Sequence, residues 1–184
     1  MGIIFKSSLL SGILVGLGVV INTQTYNPYI GAMLFSIALL VIIKCNLLLY
    51  TGKIGFIKMI PIKKLLFVLL GNLIGVMIPI LIAINKDGFY QQLIDISNTK
   101  FSNNIFELFL YGLMCGALMF IAVHCKENII TVFCIMTFIL SGYEHCIADF
   151  PCLLINFNIE NLVKFIFIIL GNSIGSIITY RLIE

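Results

Sequence analysis

Charge is scarce in this sequence. Only 10% of its 184 residues are Asp, Glu, Lys or Arg, while 61% are hydrophobic, against roughly 25% charged in an ordinary soluble domain. A small soluble domain leaves much of its surface in water, and this chain has too few charges to cover it. The apolar residues must face lipid, which excludes a soluble fold. A basic tract is also lacking. The net charge of +3 comes from 11 Lys and Arg spread over connections, so a nucleic-acid partner is not expected. The six cysteines (Cys45, Cys115, Cys125, Cys134, Cys146, Cys152) have no CxxC or metal-ligand spacing. Most lie in apolar runs, where Cys acts as a small hydrophobe, so neither a disulfide framework nor a metal centre is expected. His124-Cys125 and His145-Cys146 fall in different spans, and a metal site needs three or four convergent ligands. There is no Gly-rich phosphate loop, Ser–His–Asp order or HExxH motif. Enzyme chemistry and cofactors have no support in the sequence.

What is present is a series of long apolar runs. A helix crossing a bilayer needs about 20 mainly apolar residues. Spans are expected near Ile3–Ile21, Pro28–Ile60, Lys64–Ile84, Ile105–Val123, Asn128–Ile155 and Leu162–Leu182. Lys6 followed by an apolar run superficially suggests a signal peptide; with five further apolar segments behind it, the run is read as a retained first span. The expectation is an all-α integral membrane fold forming a single domain over 1–184. Residues Lys86–Asn104 form its only sizeable polar loop.

Spans 2 and 5 are too long for one crossing. Each carries Gly and polar residues partway, Thr51-Gly52-Lys53 and Ser141-Gly142-Tyr143-Glu144-His145. Backbone left unpaired in lipid is costly, so a helix breaks there only where the break is buried in protein or lines a cavity. Interrupted segments at matching places in two halves point to a transport site. Gly71-Asn72-Leu73-Ile74-Gly75 returns one hundred residues later as Gly171-Asn172-Ser173-Ile174-Gly175, and the same offset takes Gly12 and Gly16 to Gly112 and Gly116. Small residues four apart let membrane helices pack closely. Three spans per half make the halves, about 1–86 and 105–184, inverted relative to each other. With both termini inside, the cytoplasmic side receives Lys6, Lys53, Lys58, Lys63, Lys64, Lys126 and Arg181 and the outer side Lys86, Lys100 and Lys164, as the positive-inside rule favours.

His145 lies in the break of span 5. An ionisable residue inside a membrane is a functional-site hypothesis by default; the alternative is a packing histidine bonded to a backbone carbonyl. Glu144 either sets the protonation of that histidine or bonds exposed backbone. Thr51 is placed in the equivalent break of span 2, where its hydroxyl either serves a substrate or imidazole, or back-bonds at a helix end. Asn72 and Asn172 either contact substrate or bridge helices, and Asn72 is read as structural. Lys44 within span 2 adds positive potential, faces a subunit contact, or snorkels to an interface. Lys100 either gathers anions outside or is a solvated loop lysine.

Phe138-Ile139-Leu140-Ser141-Gly142-Tyr143-Glu144-His145-Cys146-Ile147-Ala148-Asp149 resembles the span 5 signature F-x-x-S-G-F-E-H-S-x-A-N of the formate/nitrite transporter family. Phe35-Ser36-Ile37-Ala38-Leu39 through Leu49-Tyr50-Thr51-Gly52 is similar to the family's span 2 ending in L-F-T-G, and both GNxIG motifs match. The resemblance covers the whole chain. It implies an aquaporin-like protomer in a homopentamer in the inner (plasma) membrane, each protomer with a pore for formate, nitrite or hydrosulfide. His145 would be the central proton donor and Thr51 its partner. Leu39 and Tyr50 would form the inner constriction, Phe35 and Phe138 the outer one, with Lys100 and Asn172 also matching family positions. Departures are Gly116 where the family usually has Asn, Asp149 for the Asn of the signature, and Leu48 for an acidic residue before the span 2 threonine. Other readings that keep the fold are a pore for neutral solutes and a non-transporting membrane scaffold.

Overall fold

The computed structural model describes residues 2–184, and every regular element in it is helical. Four helices are long and apolar enough to cross a membrane: α1 (Gly2–Gln24), α4 (Ile62–Ala83), α6 (Ile105–Cys125) and α9 (Ile159–Ile183). Between them lie α2 (Pro28–Lys44), the single turn α3 (Tyr50–Lys53) continued by a 3-10 turn at Ile54–Phe56, α5 (Phe89–Ser102), α7 (Asn128–Leu140) and α8 (Cys146–Ile155). Helix starts follow from local chemistry. The Asn27 side chain accepts from the backbone N–H groups of Tyr29 and Ile30 ahead of Pro28, and Asn104 and Glu107 form a reciprocal capping box on α6.

Tight pairing of α1 with α4 and of α6 with α9 builds the two halves, and α2 against α7 joins them. Small residues set these crossings. A Cβ on Gly12 would strike the Asn72 carbonyl and one on Gly116 the Asn172 carbonyl. The spatial counterpart of Gly12 is thus Gly116, one helical turn beyond the Gly112 that sequence alignment suggests. The hydrogen bonds agree, because Ser8 O serves Asn72 as Gly112 O serves Asn172. A repeated glycine every fourth residue looks alike after sliding one turn, so sequence alone misassigns the register. Gly116, which stands where the family usually has Asn, is a contact point of α6 and α9, with no room there for a side chain.

Both interruptions are built alike. Helix α2 ends with Cys45 N–H on Val41 O (2.9 Å) and Leu47 N–H on Ile42 O (2.9 Å); α7 ends with Ser141 N–H on Thr137 O (3.0 Å) and Tyr143 N–H on Phe138 O (2.9 Å). Asn46 (φ 51°) and Gly142 (φ 67°) turn the chain in the left-handed region, the residue types that close a helix this way. The break of span 5 falls where expected. That of span 2 falls earlier, at 45–49, and Thr51 already sits on the first turn of α3. The reason is that Asn46, not Gly52, supplies the left-handed turn, while Gly52 allows close approach to Val123.

The segment read as a polar loop contains α5. Phe89, Leu93, Ser97 and Phe101 recur every four residues as its buried stripe, and Ser97 donates to Cys152 O (2.8 Å), fixing α5 on α8. Outward faces of the long helices stay apolar, with Leu70 56%, Ile82 73% and Phe106 67% exposed. Contiguous exposure of this kind in α4 and α6 suits lipid or another protein.

Candidate functional site

Two asparagines hold the interruptions in place. Asn72 accepts from Tyr50 N–H (2.8 Å) and donates to Leu48 O (2.9 Å) and Ser8 O (2.7 Å). Asn172 accepts from Cys146 N–H (2.9 Å) and donates to Glu144 O (2.7 Å) and Gly112 O (2.8 Å). One side-chain amide thus satisfies backbone freed on one side of each break and ties it to a long helix. This is what buried polar backbone in lipid requires. Both Asn side chains are fully buried and spent on backbone.

The two breaks deliver their chemistry to one point. His145 precedes α8 and Thr51 lies on α3; Thr51 Oγ1 and His145 Nε2 are 2.9 Å apart, and both residues are buried. His145 Nδ1 has no hydrogen-bond partner. Thr51 is itself positioned from the other half by Ser176, whose hydroxyl stands 2.9 Å from both Thr51 O and Gly116 O. Apolar side chains flank the pair. Phe35 and Phe138 meet edge to face at 5.9 Å, and the Phe138 ring lies 5.7 Å from that of His145. One turn further along α2 is Leu39, buried like Tyr50. The Tyr50 hydroxyl is 2.8 Å from Ser173 Oγ, which donates to Ile169 O, so Tyr50 is the donor to Ser173.

A cavity of about 240 Å³ reaches Phe35 and Phe138 from one side, with Lys100 and Asp149 in its wall. Lys100, on the last turn of α5, binds the Glu144 carboxylate and lies 3.0 Å from Asp149 Oδ1. Burial alone would lower the Lys100 pKa, but Asp149 and Glu144 together outweigh it and raise it above the usual lysine value. The ammonium therefore stays charged wherever weak acids titrate. A wider, more open cavity of about 530 Å³ lies on the Glu144 side of this cluster.

Comparison with known proteins bears on what this arrangement is. The sequence profile described as "Formate/nitrite transporter" matches residues 1–184. The chain belongs to the formate/nitrite transporter family. No curated protein matches the sequence. Among solved structures, a chain described as an "FNT family ion channel" superposes with a TM-score of 0.82 at 22% identity, covering 97% of this chain and 87% of the other. One described as a "Pentameric formate channel with formate bound" gives a TM-score of 0.70 at 21% identity over 99% and 94%. These likenesses establish a shared fold.

Within this formate/nitrite transporter fold, the structure brings together His145, Thr51, Phe35 and Phe138, with Tyr50 adjoining Thr51. It takes Asn172 to the backbone behind them. Lys100 is neither a loop residue nor free: it is a helical residue, largely buried, with two carboxylates. Glu144 bonds that lysine through its side chain, and only its carbonyl faces Asn172. Lys44 ends α2 with its side chain exposed, away from this group. Leu48 occupies, in the first break, the place of Glu144 in the second, since each offers its carbonyl to an Asn; the first half carries no carboxylate there. Asp149, Ser173 and Ser176 were not singled out as site residues. Asp149 was legible as the residue four after His145 on one helical face. The serines gave no signal, because a Ser in an apolar helix reads as a packing residue.

Proposed function

We propose that this chain crosses the inner (plasma) membrane six times as two inverted three-helix halves, both termini cytoplasmic. We further propose that it assembles as a homopentamer and conducts a small monovalent weak acid (formate, nitrite or hydrosulfide) through each protomer. The observation that carries this reading is the buried Thr51–His145 hydrogen bond, an ionisable imidazole and a hydroxyl contributed by the two halves, with Phe138 and Phe35 beside the imidazole and Tyr50 next to Thr51, all buried. Homopentameric assembly is supported by the pentamer named among the similar structures and by the apolar outer faces.

The chemistry follows from the cost of charge. A bare anion among Phe, Leu and Tyr side chains gives up water without compensation, which costs several kcal/mol; the neutral acid does not. With Thr51 Oγ1–H donating to Nε2, His145 carries its proton on the unpartnered Nδ1 and presents a donor. When Nε2 is protonated as well, Thr51 Oγ1 accepts from it; the imidazolium then hands its Nδ1 proton to the anion, forming the neutral acid and a neutral imidazole protonated on Nε2, and water restores the Nδ1 proton after the acid leaves. A histidine suits this exchange because its reference pKa lies near physiological pH. Lys100, paired with Glu144 and Asp149, stands at one mouth of this path. In proteoliposomes, formate, nitrite and hydrosulfide uptake should rise as pH falls from 8 to 5. His145→Phe should reduce it by about a hundredfold or more, the usual scale of a lost acid–base group. Uptake that His145→Phe leaves unchanged would sink the role given to the histidine, and pH-independent flux of neutral solutes would favour an uncoupled pore.

A further inference from the structure

The cluster at the mouth holds two carboxylates and one ammonium. Glu144 and Asp149 are each more than nine-tenths buried, and Lys100 serves both. Asp149 uses only Oδ1 in that contact; its Oδ2 is buried without any hydrogen-bond partner. With all three groups ionised, the cluster carries a net negative charge and an uncompensated carboxylate oxygen out of water. That is an arrangement proteins avoid by supplying a proton or a donor. Asp149 lines the 240 Å³ cavity that ends at Phe35 and Phe138, whereas Glu144 lines the wider cavity on the other side. Of the two acids, Asp149 is the one facing the narrow approach to His145, from one turn away on the same helix.

The other titratable and charged groups near Asp149 are few. Lys100 comes from α5, Glu144, His145 and Tyr143 from the chain before α8, Cys146 and Cys152 from α8 itself, and Cys115 from α6. Helices α1 and α2 add to the cavity only neutral side chains such as Asn22, Thr23 and Phe35. Lys164 of α9 is engaged elsewhere, by Phe101 O and Glu160. Lys100 is the cation in direct contact with both acids.

We propose that Asp149 holds a proton at rest and determines what passes the mouth of the pathway, presenting a neutral carboxyl to an incoming anion when protonated and repelling anions when not. The inference rests on the weak-acid reading of the pathway. It assigns Asp149 a part distinct from that of His145: the aspartate admits the anion and keeps its proton, while the histidine neutralises it. Protonated Asp149 leaves Lys100 balanced by Glu144 alone, so the cluster is neutral, Oδ1 accepts from Lys100 and the buried Oδ2 is no longer an uncompensated charge. Asn has the same shape and the same donor-acceptor pair, permanently.

The test compares wild type with Asp149→Asn in proteoliposomes, using formate as the permeant and varying pH on the side to which the cavity opens. In the wild type, uptake falls from pH 5 to pH 8 both because formic acid and His145 lose protons and because Asp149 does. Asp149→Asn removes the last contribution, and the ratio of rates at the two pH values should shrink by about fivefold or more, the scale of removing one repelling charge at close range. A uniform change at every pH, or an unchanged ratio, would overturn the proposal. Infrared difference spectroscopy gives an independent reading. A protonated-carboxyl band at pH 7 should be present in the wild type, shift when aspartate but not glutamate carries a 13C-labelled carboxyl, and be missing from Asp149→Asn; its absence from the wild type would also overturn the proposal. A wild type that shows the band but moves no formate would sink the weak-acid reading while leaving the protonated Asp149 standing.

Discussion

At the scale of single residues, the contrast between Tyr50 and Thr51 is instructive. They are neighbours on one turn, both buried, yet one hydroxyl reaches His145 and the other Ser173. The Tyr50 ring is thereby anchored to α9, which would hold the proposed inner apolar layer in one position. A neutral hydrogen bond of this kind contributes about 1 kcal/mol. If opening the layer requires the ring to move, Tyr50→Phe should raise the conduction rate by about fivefold, since each 1.36 kcal/mol is tenfold in rate. Stopped-flow uptake measures this, and a rate that falls in the variant would mean the hydroxyl serves the permeant instead. His145 is visible in the sequence because a titratable group amid apolar residues stands out, and Thr51 because it begins the Thr51-Gly52-Lys53 interruption of an over-long span. What could not be read there is that Lys100 is already matched by Glu144 and Asp149. Pairing across more than forty residues of chain depends on how α5 folds back onto α8.

At the scale of elements, the helices that cross in one piece were readable from apolar length, and the span 5 break from Gly142. The span 2 break was displaced because an Asn in the left-handed region looks like any polar residue. Helix α5 was missed because its buried stripe is diluted by Gln, Asp, Asn and Thr on the other face. From the sequence Asn72 reads as structural and Asn172 as either a substrate contact or a helix bridge, and their geometry makes both brackets for backbone. Asn172→Ala would strand the Cys146 N–H and the Glu144 and Gly112 carbonyls. A buried unpaired group costs about 1–3 kcal/mol. With about 3 kcal/mol lost in total, unfolding of the detergent-solubilised protein should begin about 6–12 °C lower. Light-scattering thermal ramps would register it. An unshifted transition would mean that water replaces the amide and that the break is wetter than its burial suggests.

At the scale of the whole molecule, the proposed orientation puts the ends of α2 and α6 on the cytoplasmic face. Cys45 and Cys125 are exposed there, while Cys115, Cys134, Cys146 and Cys152 are buried. A membrane-impermeant maleimide added to intact cells should leave Cys45 and Cys125 unmodified, and permeabilisation should make them react. Labelling before permeabilisation would invert the topology.

The matching brackets around Asn72 and Asn172 carry unmatched decoration. Where the second half offers Glu144 to Lys100 and Asp149, the first half offers only Leu48, so fixed charge sits on one side of the apolar barrier and none on the corresponding position of the other. A barrier with such a one-sided charge has unequal resistance in the two directions when equal and opposite gradients are applied. Under the proposed conduction the protein should therefore rectify, although at equilibrium it still favours neither side.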